Sequence, residues 1–199
     1  KKIEKGDFYF AETKSKKIDV LEQLKSIIPE TLQSYSWKKS MKWSSHELTW
    51  ARPLKSIISI LNNKIINFNF FHLNSGNLTQ IEGLDEEKVK KINNFKNYLQ
   101  ILDSQNIILD QDKRKSIVTQ KMNKICNSKK LKNNFNEKLI EEVVNLVERP
   151  NIILCQFDKM YLKIPQEILI VTMQQHQKYF PLFDDKEKLT NLFLLVANL

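Results

Sequence analysis

Glycine is nearly absent: Gly6, Gly76 and Gly83 are the three in 199 residues, and they stand far apart. A loop that cradles phosphate needs closely spaced glycines so that successive backbone N–H groups can face the anion. Their scarcity leaves no P-loop and no dinucleotide fingerprint. Cysteine is as scarce. Cys126 and Cys155 have no second thiol or histidine beside them at ligand spacing, which argues against a zinc site or a disulfide framework and fits a reducing, cytoplasmic setting. No apolar run is long enough to cross a bilayer, so no membrane partner is expected, and no signal-peptide pattern is visible. The three histidines, His46, His72 and His176, come without a Gly-x-Ser-x-Gly elbow or a His-x-x-x-His pair. Hydrolase, nucleotide and metal chemistry therefore have no anchor, and neither catalytic, cofactor-binding nor metal-binding residues are expected here.

Positive charge is what the chain has in excess. Thirty-two Lys and Arg against 23 Asp and Glu leave a formal charge of +9, which favours a polyanionic partner. With 41% hydrophobic residues the chain can bury a core as one domain or one domain plus an appendage. We expect an N-terminal strand and helix over residues 1–36 and a main domain over 37–199. Beginning at Lys1 and stopping just after the apolar run 192–196, the sequence reads as a piece of a longer protein.

Hydrophobic spacing predicts the elements. Phe8 and Phe10 suggest a strand; Val20, Leu21, Leu24, Ile28 and Leu32 mark an amphipathic helix that Pro29 kinks or ends. Residues 57–61 and the alternating Ile66, Phe68 and Phe70 read as two strands, with Asn62-Asn63 suited to the left-handed geometry of a tight turn. A helix from about Asp85 carries Val89, Ile92, Phe95, Leu99 and Leu102; a short strand 107–109 and a helix from Asp112 with Val118, Met122 and Ile125 follow. Residues 127–136, rich in Lys and Asn, read as an exposed loop, and Leu139, Val143, Leu146 and Val147 as a helix stopped by Pro150. Residues 152–154 start a strand, and a helix begins at Pro165-Gln166-Glu167, with His176 spaced to fall on its face beside Leu169, Thr172 and Met173. Strands interleaved with helices and a hairpin argue an α+β fold: mixed, largely antiparallel sheets packed with helices.

Two segments combine cations with aromatics. Trp37-Lys38-Lys39-Ser40-Met41-Lys42-Trp43 and Trp50-Ala51-Arg52-Pro53 offer charges for phosphates and rings for bases, although such tryptophans serve equally as core anchors. Near the other end, Gln175-His176-Gln177-Lys178-Tyr179-Phe180 follows an apolar turn. His176 there is expected to pack with one hydrogen-bonded nitrogen and to help fix the turn into Tyr179 and Phe180.

In order along the chain, these segments resemble the β subunit of the bacterial glycyl-tRNA synthetase built from separate α and β chains. Lys39-Ser40-Met41-Lys42-Trp43 is similar to that family's Lys-x-Met-Arg-Trp, and Trp50-Ala51-Arg52-Pro53 to its Phe-x-Arg-Pro. Leu146-Val147-Glu148-Arg149-Pro150 resembles its Leu-Val-Glu-Trp-Pro, with Arg149 where Trp is usual. Pro165-Gln166-Glu167-Ile168-Leu169 and Met173 through Phe180 resemble its Pro-x-Glu-Val-Leu and Met-x-x-His-Gln-Lys-Tyr-Phe. Ser44 stands where the family has Gly, and Thr79-Gln80-Ile81-Glu82-Gly83-Leu84 where it commonly has a Gly-His-Arg-Phe loop.

The resemblance implies a fragment of a ligase, an aminoacyl-tRNA synthetase acting as a heterotetramer in the cytoplasm on tRNA(Gly). Adenylate formation from ATP and Mg would lie on the α subunit, and this chain would support tRNA binding and subunit assembly. It further implies a fold like the editing-type domain of the phenylalanyl-tRNA synthetase β subunit. Lys42, Trp43, Arg52 and Lys178 are the expected nucleic-acid or subunit contacts, with His176, Gln177, Tyr179 and Phe180 a structural motif. Two other readings are a hydrolytic proofreading module, needing His176 or His46 in a pocket with an ordered water, and a scaffold that binds only the α subunit.

Overall fold

The computed structural model describes residues 18–82 and 87–199, with the backbone of two short strands near the start, β1 Lys2–Ile3 and β2 Gly6–Asp7, which pair antiparallel. The strand expected at Phe8 and Phe10 lies outside the described residues. The chain divides into two compact units, Lys1–Tyr98 and Leu99–Leu199.

In the first unit, helix α1 Val20–Ser34 starts at Asp19, whose carboxylate accepts from the N–H groups of Leu21 (3.0 Å) and Glu22 (3.4 Å). Pro29 does not end it. Leu21, Leu24, Ile28 and Leu32 pack on a core of Leu48, Ile66, Phe68 and Phe70, and that burial outweighs the hydrogen bond a proline cannot make. Strands β3 Ile57–Ile58, β4 Ile60–Leu61 and β5 Lys64–Ile65 follow, then β6 Asn69–Phe70 and β7 Leu73–Gly76. The expected hairpin is present between β4 and β5, with Asn62 (φ 48°) and Asn63 (φ 63°) both left-handed. Ile66, Phe68 and Phe70 turn inward while Asn67 and Asn69 face solvent. β7 lies between β3, parallel to it, and β6, antiparallel. Buried Ser75 ties this layer together: its hydroxyl donates to Ile66 O (2.7 Å) and accepts from Phe68 N–H (2.8 Å).

The helix expected from Asp85 begins ten residues late. Glu87–Lys91 is instead a strand, β9, paired antiparallel with β8 Leu78–Glu82, and the helix α2 is Phe95–Asp103. Asn94 supplies the start signal, its side chain accepting from Asn97 N–H at 2.8 Å. Val89, Ile92 and Phe95 satisfy a helical spacing, but pairing with β8 decides the matter, and no local period encodes that partner.

The second unit is a helix layer on a three-stranded sheet. Helices α3 Gln111–Lys129 and α4 Glu137–Leu146 pack on β10 Pro150–Gln156, β11 Phe180–Phe183 and β12 Leu189–Asn198, with β12 central and antiparallel to both neighbours. Val118, Met122 and Cys126 of α3 and Leu139, Ile140, Val143 and Val144 of α4 meet Phe180, Leu182 and Leu194 in one core. Asp110 and Asn136 cap the two helices with side-chain oxygens. Leu146 is exposed rather than on the packed face, because Val144 takes that place. The expected strand 107–109 does not form: the carbonyls of Ile108 and Leu109 accept from the Arg114 guanidinium at 2.5 and 2.9 Å instead of joining a ladder. The expected loop 127–136 is shorter than its composition suggests, since α3 runs to Lys129; Lys132 bridges to Phe183, and Leu131 and Phe135 pack on the core. The α+β character and the mostly antiparallel pairing agree with the sequence expectation.

Beyond β10, a 3-10 turn Lys159–Lys163 leads into α5 Gln166–Val171, which continues as a π-helical turn Thr172–Gln177. Among the described residues no helix is long and apolar enough to cross a membrane.

Candidate nucleic-acid interface

The segment after α1 is held at both ends. Tyr35 closes the helix, its N–H donating to Leu32 O, and Met41 pairs with Trp50 through reciprocal backbone bonds of 2.8 and 3.2 Å. Between these anchors the backbone displays Trp37, Lys38 and Lys39, all exposed. The rings of Tyr35, Trp37 and Trp50 meet edge to face, and Trp50 continues edge-on to buried Phe70.

Lys42 and Arg52 are exposed, and with Lys38 and Lys39 they have no acidic partner among the described residues. Trp43 is half-buried and packs on the core of the first unit; its ring is edge-on to His72 (5.7 Å) and His46 (6.3 Å), which stack on each other at 3.6 Å. Trp43 therefore anchors this segment to the core, while Lys42 beside it in sequence is exposed. Ser44, next to it, has φ 51°, a left-handed conformation costly for a residue with a Cβ. A glycine would adopt that geometry without strain. Ser44→Gly is expected to stabilise the first unit by about 0.5–1 kcal/mol, read as a rise in denaturation midpoint.

In the second unit several cations are already engaged. Lys178, in a left-handed cap at φ 58°, bridges to both oxygens of Glu142 at 2.8 and 2.9 Å. Lys115 bridges Glu137 (2.9 Å) and Glu141 (3.2 Å), whose hydrogen bonds hold its ammonium above the ordinary lysine pKa. Arg114 spends its guanidinium on backbone carbonyls, Val144 O included. Tyr179 stacks on Phe193 at 4.8 Å, and Phe180 is buried in β11.

His176 differs from its expected place. The π-helical turn widens the spacing just where an α-helix would set the imidazole against Leu169 and Met173, so Met173 is buried while His176 and Gln177 are exposed. The imidazole finds no hydrogen-bond partner among the described residues. His176→Ala is accordingly expected to change stability by no more than about 0.5 kcal/mol in thermal denaturation, against the 1–3 kcal/mol a packed, hydrogen-bonded histidine would cost.

A cavity of about 470 Å³ opens in the first unit, walled by Ser56, Thr79, Asn94 and Tyr98 together with Ile58, Ile60, Ile92 and Phe95. No acid, base or imidazole lines it, and none of the expected site residues reaches it. Among the described residues no cluster of His, Cys, Asp or Glu is placed to hold a metal.

A family model described as glycyl-tRNA synthetase beta subunit matches residues 1–199. The chain belongs to that family. It is 36% identical over 191 residues to the glycine–tRNA ligase beta subunit of Rickettsia akari (strain Hartford), covering 96% of this chain and 29% of that protein. The beta subunit of Clostridioides difficile (strain 630) is 35% identical over 198 residues, covering 100% of this chain and again 29% of the relative. The chain thus spans less than a third of the length of these curated relatives.

Within this beta-subunit chain, sequence reasoning found the basic aromatic segment but missed Tyr35, although it lies two residues before Trp37. It also missed the His46–His72 stack and the Glu142 partner of Lys178. Both join residues distant in sequence, and only Glu142's charge was a signal.

Proposed function

We propose that this chain is the part of a cytoplasmic glycine–tRNA ligase that holds tRNA(Gly) for glycylation, while the α subunit carries adenylate chemistry with ATP and Mg. The observation that supports this reading is the set of exposed cations, Lys38, Lys39, Lys42 and Arg52, without acidic partners among the described residues, in and beside the aromatic segment of the first unit. Phosphates exchange condensed counterions for such charges, and the exchange drives binding without any catalytic group. The cavity has no charged side chain to pair with Mg or triphosphate, and no step of adenylate chemistry is assigned to it. Replacing Lys42 and Arg52 by Ala in the full αβ enzyme is the test. Affinity for tRNA should fall while glycine-dependent pyrophosphate exchange is unchanged; loss of exchange with intact tRNA affinity would contradict the reading.

A second role, docking on the α subunit, is favoured by one feature of the second unit. Met160, Tyr161, Leu162, Ile164, Ile168 and Val171, on the 3-10 turn, on α5 and between them, are all exposed, an apolar run that water disfavours. The relatives' own name, beta subunit, implies a partner chain. Lys178, fixed by Glu142 shortly after this run, is the subunit contact at its polar end. Proofreading gains no comparable support, because His176 stands in solvent and the cavity lacks a general base.

A further inference from the structure

We propose that Tyr35 and Trp37 form a ledge on which one unpaired nucleotide of the bound RNA stacks its base, with Lys38, Lys39 and Lys42 holding the adjoining phosphates. This deepens the tRNA-holding reading and rests on it.

Four observations carry it. Tyr35 is 55% and Trp37 41% exposed, although both belong to an aromatic cluster. Interplanar angles of 62–63° among Tyr35, Trp37 and Trp50 mean that none of these rings is stacked face to face with another of them, and the exposed part of Tyr35 and Trp37 is what an incoming planar group would meet. The ledge is preorganised, since the helix cap at Tyr35 and the Met41–Trp50 bridge fix both ends of the short span. Lys38, Lys39 and Lys42 lack acidic partners among the described residues.

The chemistry selects the ligand class. A base within a duplex has both faces covered by its neighbours, so a stacking ledge takes a nucleotide from a loop, bulge or single-stranded end. Protein partners fit less well, because lysine is depleted at the centre of protein interfaces and this ledge has three within five residues of Trp37.

The test uses the full αβ enzyme with Tyr35→Leu, Trp37→Leu and Trp37→Phe. Each Leu variant should weaken tRNA binding at least five-fold, Trp37→Phe should recover most of the loss, and the salt slope should stay that of the wild type because no cation is removed. An oligouridylate should compete with tRNA for the wild type and lose most of that competition against Trp37→Leu, whereas a blunt RNA duplex competes equally against both. If either Leu variant shows a lowered melting temperature, the other and the Phe variant decide. Wild-type tRNA affinity in both Leu variants, with weakened binding in Lys42→Ala and Arg52→Ala, would remove the ledge and leave the tRNA-holding reading standing. Unchanged binding in the lysine and arginine variants as well would remove both. Equal losses for oligouridylate and duplex, or weakened α association with intact tRNA affinity, would also overturn the ledge.

Discussion

Phe180→Ala is expected to lower the stability of the second unit by about 3–5 kcal/mol, the range for removing a buried phenylalanine and leaving its cavity behind. Phe180 is 1% exposed, pairs with Leu194 of the central strand and meets Phe135 edge-on at 5.7 Å. Its neighbours come from α3, α4 and β12 at once, so no single element can relax into the void. For a domain of this size, whose total stability is about 5–15 kcal/mol, such a loss is a large fraction. Chemical denaturation followed by circular dichroism checks it. A shift below about 1 kcal/mol would mean that this core is not packed as described.

The second large effect concerns assembly. Placing charges on the exposed apolar run, with Met160→Glu and Ile168→Glu together, is expected to weaken α association by about 2 kcal/mol or more, roughly thirty-fold in Kd. Both positions are exposed, at 58% and 57%, so their replacement costs the folded chain little. The change therefore reports on the proposed interface. Sedimentation or light scattering of the mixed subunits reads it directly, and an unchanged αβ stoichiometry and affinity would assign the run to some other surface.

Where the determinants were local, the sequence revealed the structure. Asn62-Asn63 announced a left-handed turn, and the Val118–Met122 spacing announced the buried face of α3, because each depends on residues within a few positions. The misread elements were settled at a distance. Strand β9 depends on β8, and the carbonyls of Ile108 and Leu109 are claimed by Arg114. The candidate site divides in the same way. Its lysines and tryptophans stand together in sequence and are legible there, whereas the partner that holds Lys178, Glu142, lies 36 residues away. His176 was misplaced for a geometric reason, since a π-helical turn breaks the three- and four-residue spacing on which any helical face is read.

Salt-dependent binding of tRNA(Gly) to the αβ enzyme tests the role of the first unit most directly. Log affinity plotted against log salt should fall linearly for the wild type, and the line for the Lys42→Ala, Arg52→Ala double variant should be shallower by about 1.4–1.8, the loss of two phosphate contacts at roughly 0.7–0.9 each. Two superimposed lines would show that neither cation touches the RNA, and the assignment of tRNA holding to this surface would be wrong.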